Sequence, residues 1–574
     1  MANQLPVRAG PDALKADGCC TPKEDKKPQK VSVPPKKVLP IVFIPGIMGS
    51  NLRMSASRQS RLKKSNNIAW RPDRPTEALA MVNASAARRQ LQLDPRTTEV
   101  DIYQPDKNPT GDKSETADAR HDLGGIRVLL NPGIDSPLLT DDPIGIKNPK
   151  TKEMKARERG WGEVYFGSYR GILEKCELAF NHGWLQAHWG RIFKTEPAAW
   201  GAAPELGLKA LLEKEHKTAV NGYWFPVHAM GYNWLESNGE SAKKLSVRIR
   251  ALIKNYKEQG YECDRVILMT HSMGGLVARA LIHPKFGALG SEVLGIVHGA
   301  MPATGAPAAY KRMRCGFEEG YGGLDPAPKV LGNFGAEVTA VLANAQGGLE
   351  LLPSRAYGNG WLEIRHNGIL LLSLPKSGDP YNEVYKLRDK WFGLLREAWI
   401  NPAELADCTF DRTCELLNGA DTFHSTIEST YHPLSYAHYG ADPERPSWAG
   451  VVWELDKRKK IGNWQILKIA TDSGQGKLEL SQSGEVDDSN VGYSIDGIAS
   501  TPLYTPGVHV ASLGKSVGLG DQTVPLRSSE HQFLSGKFKG IFRQVGYEHQ
   551  ASYGDQYAIH STLYSISRII GTLR

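Results

Sequence analysis

The hexapeptide Thr270-His271-Ser272-Met273-Gly274-Gly275 constrains this chain more than any other feature of it. It stands between four consecutive apolar residues, Val266, Ile267, Leu268 and Met269, and a helix-forming segment over about 275–283. A short apolar run, a tight turn and a helical pattern read as a buried strand feeding directly into a helix. A serine on that turn is held in a strained backbone conformation with its hydroxyl presented at the strand end, which is a nucleophile elbow. Small residues must flank it, because strand and helix approach closely. Thr270 replaces the first glycine of the usual G-x-S-x-G pattern, a departure that still supplies a small side chain.

A serine hydroxyl is a weak nucleophile near neutral pH and needs an imidazole base oriented by a carboxylate. Asp521 is the candidate acid: it lies in Gly518-Leu519-Gly520-Asp521-Gln522-Thr523-Val524-Pro525, on a Gly-rich loop after an expected strand at 507–513. Three histidines follow it. His531 precedes the last expected strand (540–545) within a helical segment, and His560 lies inside the closing helix as a partly exposed residue. His549 comes just after that strand, on the loop from which a base reaches the nucleophile, and is the preferred candidate. A tetrahedral oxyanion needs two backbone N–H donors. Met273 is expected to supply one, and Ile47 (or Met48) the other, from the turn Pro45-Gly46-Ile47-Met48-Gly49-Ser50 after the first strand.

The alternation around these motifs gives an α/β class. An apolar strand over 38–44 is followed by polar, irregular sequence over 55–160, read as an insertion or a set of surface loops. Helical spacing returns at 163–180, a strand at 227–232, and an amphipathic helix at 242–259 that presents Leu245, Val247, Ile249, Leu252, Ile253 and Tyr256 and ends at Gly260. Strands are expected at 293–297, 507–513 and 540–545, with a closing helix at 556–572. The organisation read from this pattern is a disordered basic tail (1–37), a first core part (38–301), an inserted cap or lid (302–506) and a second core part (507–574). In the cap, Trp361, Leu362, Leu370, Leu371, Leu372, Trp391, Phe392 and Trp399 supply either an acyl-chain pocket or the cap's own core. Gln346-Gly347-Gly348 and Gly358-Asn359-Gly360 are either hinges or ordinary turns.

Composition excludes several classes. No run of 18 apolar residues occurs in the 574, so no membrane-spanning helix is expected. The formal charge is +8, and residues 1–40 hold eight Lys/Arg against four acids. That arm has no apolar core of a Sec signal; it reads as a solvated tail, or as one attracted to anionic lipid or a loading partner, with no case for nucleic acid. The seven cysteines include no C-x-x-C spacing, so no structural zinc is expected. Cys408 and Cys414 are either two thiols or a small disulfide loop. No cofactor is expected, although the acidic stretch 485–489 is either a weak Ca²⁺ site or a solvated loop.

Four segments together resemble the lecithin–cholesterol acyltransferase and GPI inositol-deacylase branch of α/β-hydrolase lipases. They are Pro45-Gly-Ile-Met-Gly-Ser-Asn-Leu52, Gly231-Tyr-Asn-Trp234, His271-Ser-Met-Gly-Gly-Leu-Val-Ala-Arg279 and Gly520-Asp-Gln-Thr-Val-Pro525. The last motif usually reads G-D-G-T-V-P and the second Y-D-W, so Gln522 and Asn233 depart from the pattern. The resemblance implies an α/β-hydrolase fold with a mostly parallel central sheet and a large inserted cap. It also implies a serine lipase of the phospholipase A type working through Ser272, Asp521 and His549. Bacterial proteins of this shape resemble type VI secretion lipase effectors, which implies membrane phospholipid as substrate and peripheral membrane contact. By the same resemblance the chain is exported by a specialised apparatus into a target cell's periplasm and neutralised by an immunity protein. A lipid acyltransferase and a non-catalytic binding module on the same fold remain the alternatives.

Overall fold

Six buried segments pair into one sheet in which every neighbour runs parallel: β1 (Ile41–Ile44), β2 (Val227–Ala229), β3 (Val266–His271), β4 (Val293–Gly299), β5 (Ser435–Gly440) and β6 (Phe538–Gln544). Their order is β2-β1-β3-β4-β5-β6. The computed structural model describes residues 35–72, 74–102, 139–142, 148–181, 187–317, 327–456, 463–482, 509–514 and 517–573, plus the backbone of four short strands before residue 128. Most of the basic arm and all of the acidic stretch 485–489 lie outside the described residues.

Side chains alternate across the sheet, so each strand feeds two cores. Ile41 and Phe43 pack with α1 (Phe166–Asn181) and α4 (Gln556–Ile570), while Val42 and Ile44 pack with α2 (Asn238–Glu258) and α3 (Gly274–Ile282). A sheet covered on both faces explains why its strands read as continuous apolar runs. The strand order reverses between β1 and β3, and the crevice beyond their carboxyl ends is where such sheets bind ligands. Helix α2 starts earlier than its periodicity suggests, because Ser237 accepts from the Gly239 N–H. It ends as expected. Gly260 takes φ +86°, its N–H donates to Lys257 O (2.9 Å) and the Tyr261 N–H to Tyr256 O (3.0 Å), the paired bonds of a glycine-terminated helix. Val247 lies off the buried face and is exposed.

Two expectations change. The strand His509–Leu513 is not in the central sheet. It runs antiparallel between Val451–Leu455 and Lys477–Ser481 in a second six-stranded sheet, completed by Leu362–His366, Ile369–Leu374 and Lys468–Asp472. The central strand expected there is β5, which comes from inside the segment read as cap. Its sequence, Ser-Tyr-Ala-His-Tyr-Gly, carries no aliphatic run, yet every residue is buried. Residues 55–160, read as an insertion or loops, also hold regular structure: strands Ile68–Trp70 and Thr98–Val100 form a small sheet with Leu52–Met54, just before them. Helices Ala56–Leu62 and Ala86–Gln92 beside it are capped by Ser55 and Ser85. Seven-residue helices are too short to declare a period.

Trp361, Leu362, Trp391, Phe392 and Trp399 are buried, so they form the cap's interior; Leu371 and Leu372 are partly buried against it, and Leu370 is exposed on its hairpin. One contiguous apolar cluster runs from Val42 and Leu268 of the sheet to Trp361 and Trp453 of the cap. Gly347 is no hinge: a Cβ there would lie 2.3 Å from Glu236 O and 2.5 Å from Trp234 O, so it marks a close backbone approach. Gly358 and Gly360 take φ +88° and +77° as turn residues. Cys408 and Cys414 are both thiols. Among the described residues, no helix is long and apolar enough to cross a membrane, and no group of three or more His, Cys, Asp or Glu side chains could hold a metal ion.

Candidate active site

Strand β3 ends at His271 and α3 begins at Gly274, which leaves Ser272 on the turn at φ +52°. A side chain in that left-handed region is strained, and the surroundings must hold it there. They do so through packing that only glycine permits. A Cβ on Gly274 would lie 2.5 Å from the carbonyl oxygens of Ile44 and Pro45, and one on Gly275 would lie 2.6 Å from the Met301 side chain. The Ser272 N–H donates to Gly299 O at 2.8 Å, tying the turn to β4.

His549 follows β6 and places its Nε2 2.8 Å from Ser272 Oγ. Its Nδ1 lies 2.8 Å from Asp521 Oδ2. The other carboxylate oxygen, Oδ1, accepts from the N–H groups of Val524 (2.7 Å) and Thr523 (3.1 Å). The Asp521 backbone is held as well, by Ser447 Oγ on its N–H (3.0 Å) and by the His549 N–H on its carbonyl (2.9 Å). Because Oδ2 accepts from Nδ1–H, Nε2 is the bare nitrogen that faces the serine. Gln522, where the resembling family has glycine, takes φ +71°, the left-handed conformation that explains a glycine there.

The other histidines stand apart. His531 is on the short helix His531–Leu534, near the Tyr431 hydroxyl (3.4 Å). His560 packs against Trp200 in α4 and is buried rather than partly exposed. On the oxyanion side, the N–H groups of Met273, Ile47 and Met48 donate to no described residue. Met48 sits at φ +59°, and its carbonyl accepts from Trp70 Nε1 at 2.6 Å. A Cβ on Gly46 would lie 2.9 Å from Ser272 Cβ, so this turn lies directly over Ser272. Ser272 and His549 are only 5% and 7% exposed, so the site is covered. Neither of two surface cavities, about 600 and 620 Å³, is lined by Ser272, Asp521 or His549.

Residues that the motifs did not single out surround this centre. Tyr169 of α1 meets His271 at 2.9 Å, and His271 Nε2 lies 3.0 Å from the His549 carbonyl oxygen. His438 of β5 lies near Asp521, with both ring nitrogens unpartnered among the described residues; burial pushes it down to about 3, so it is neutral. Only the membership of His271 in the hexapeptide gave any sequence signal.

A parallel sheet in this order, with a strained serine between its third strand and the following helix, is now joined by a sequence match: residues 235–321 fit the family described as PGAP1-like alpha/beta domain. The chain has the α/β-hydrolase fold. The matched span of the chain runs from the start of α2 through β3, Ser272, α3 and β4. A crystal structure described as the Tle4–Tli4 complex contains a chain similar over almost its whole length. The TM-score is 0.70 at 29% identity, covering 93% of the present chain and 98% of that chain. No curated protein matches the chain in sequence.

Proposed function

We propose that this hydrolase is a serine esterase that cleaves acyl esters of membrane glycerophospholipids. The observation that carries the reading is the unbroken line from Ser272 Oγ through the His549 imidazole to Asp521, with 2.8 Å at each step. Ser272 Oγ attacks the ester carbonyl carbon while its proton passes to His549 Nε2, and Asp521 stabilises the imidazolium. The carbonyl oxygen becomes an oxyanion that accepts from Met273 N–H and from Ile47 N–H (or Met48 N–H). Collapse breaks the ester C–O bond, and His549 returns the proton to the departing lysophospholipid oxygen. Water, deprotonated by the same imidazole, then attacks the acyl-serine and releases the fatty acid.

The substrate class is supported by the lipase resemblance of the four motif segments and by the overall similarity to the chain in the Tle4–Tli4 complex. The same similarity supports a role as an exported antibacterial effector. Because that neighbour was solved with a second protein, an immunity partner belongs to this proposal too. The test is fatty-acid release from mixed phospholipid vesicles by the wild type and Ser272→Ala side by side. The expected loss in Ser272→Ala is at least about 10⁴-fold. Equal release by both proteins would remove Ser272 as nucleophile.

A further inference from the structure

We infer that Tyr169 and His271 are positioning residues that lock the oxyanion turn and the base loop into one geometry; this rests on the serine-esterase reading above. His271 is the last residue of β3, adjacent to Ser272, and its ring is fully enclosed. Its Nε2 faces the carbonyl oxygen of His549 at 3.0 Å. A carbonyl can only accept, so Nε2 carries the ring proton. Burial pushes the imidazole well below its usual range, so Nδ1 is bare and accepts from the Tyr169 hydroxyl at 2.9 Å. Burial likewise pushes the Tyr169 phenol up to about 12, which keeps that proton in place. The phenol oxygen in turn accepts the Gly46 N–H at 3.3 Å.

Every donor in this line meets an acceptor, and the direction never reverses: Gly46 N–H to Tyr169 O–H to His271 Nδ1, then His271 Nε2–H to His549 O. One end is the turn that carries Ile47 and Met48. The other is the backbone of the residue whose side chain faces Ser272. Packing presses the same atoms together. A Cβ on Gly46 would lie 3.0 Å from His271 Nδ1, and one on Gly49 would lie 2.8 Å from the Tyr169 hydroxyl. Satisfying buried polar groups accounts for the individual bonds. It does not account for a line whose two ends are the two parts that must hold their spacing about the serine for transition-state stabilisation.

The experiment compares Tyr169→Phe, His271→Gln and the double variant with the wild type on mixed phospholipid vesicles. Rates are expressed per active site titrated with a fluorophosphonate that esterifies Ser272. A merely structural loss lowers the melting temperature or the titratable fraction and leaves kcat per titrated site unchanged. The inference expects Tyr169→Phe to lower kcat per site about 10- to 100-fold with apparent KM within about two-fold. His271→Gln keeps an amide donor toward the His549 carbonyl and loses the acceptor facing Tyr169, so it is expected to behave like Tyr169→Phe. The double variant is expected to be no worse than about three-fold below either single, because both break the same line. Wild-type kcat per site in Tyr169→Phe overturns the inference, as do single losses that multiply in the double. Should Tyr169→Phe fail to fold, an unchanged kcat per site in His271→Gln overturns it alone. Absence of Ser272 labelling in the wild type would instead sink the esterase reading beneath it.

Discussion

Asp521 divides its two oxygens between different tasks: Oδ1 receives the Thr523 and Val524 N–H groups, and Oδ2 receives the imidazole. In Asp521→Asn the amide must turn its oxygen toward the two backbone donors, since an NH₂ there would face them head on. That leaves the NH₂ pointing at Nδ1 and forces the His549 proton onto Nε2, the nitrogen that should take the serine's proton. The expected outcome is a loss of about 10⁴-fold in kcat near neutral pH, with the melting temperature nearly unchanged. Vesicle hydrolysis and a thermal melt check both. Ser272 and Asp521 were legible because a strained turn needs small neighbours and a Gly-rich loop follows in the right order. Tyr169 was not, because its partner His271 lies 102 positions away, and that distance leaves no local pattern.

Among the elements, β5 ties Asp521 to the sheet. Gly440 closes it, and a Cβ there would lie 2.7 Å from Asp521 Cβ and 2.8 Å from Gly520 O. Backbone cannot yield as a flexible side chain can, so Gly440→Ala must shift the acid loop. The expected result is a kcat lower by about 10- to 100-fold. Gly190→Ala, where a new Cβ meets nothing within 4 Å, is expected to match the wild type in the same assay. β5 escaped the sequence reading because Tyr436, His438 and Tyr439 replace the aliphatic side chains that mark its neighbours. His509–Leu513 was recognised as a strand and assigned to the wrong sheet. A strand's own residues report its periodicity and burial, but its neighbour is set by pairing partners distant in sequence.

On the scale of the whole molecule, buried imidazoles set the response to acid. Burial pushes His216 and His424 down to about 4, and His298 and His438 down to about 3, against an ordinary value of 6.5. Glu350, buried at the start of α2 and accepting from the Asn238 N–H, is pushed the other way, up to about 7. Between pH 6.5 and 4.5 the unfolded chain takes up protons on these four histidines, and on His228 and His271, which burial also pushes well below the usual range, while the folded chain leaves them neutral. Over the same window the folded chain holds one proton on Glu350 that the unfolded chain has released. Each group shifts stability by about 1.4 kcal/mol per pH unit, so six histidines against Glu350 and Glu163, whose carboxyl burial also raises, make stability fall as pH falls. The melting temperature is expected to drop steadily from pH 6.5 to 4.5. His298→Leu, which removes a ring with no hydrogen-bond partner among the described residues, is expected to flatten that drop. A melting temperature independent of pH over this range would refute the account.

The order in which the parts of the site are synthesised has a consequence for the cell that makes it. The turn bearing Ser272 is complete once β4 has paired with β3, but His549 lies 277 positions further on and hangs from β6, which needs β5 beside it. Over those 277 of the 574 residues of synthesis, the nascent chain carries Ser272 without His549. Under the proposed serine-esterase reading, the chemistry switches on only when β6 docks, so a half-made copy would have no means of attacking the lipids around it.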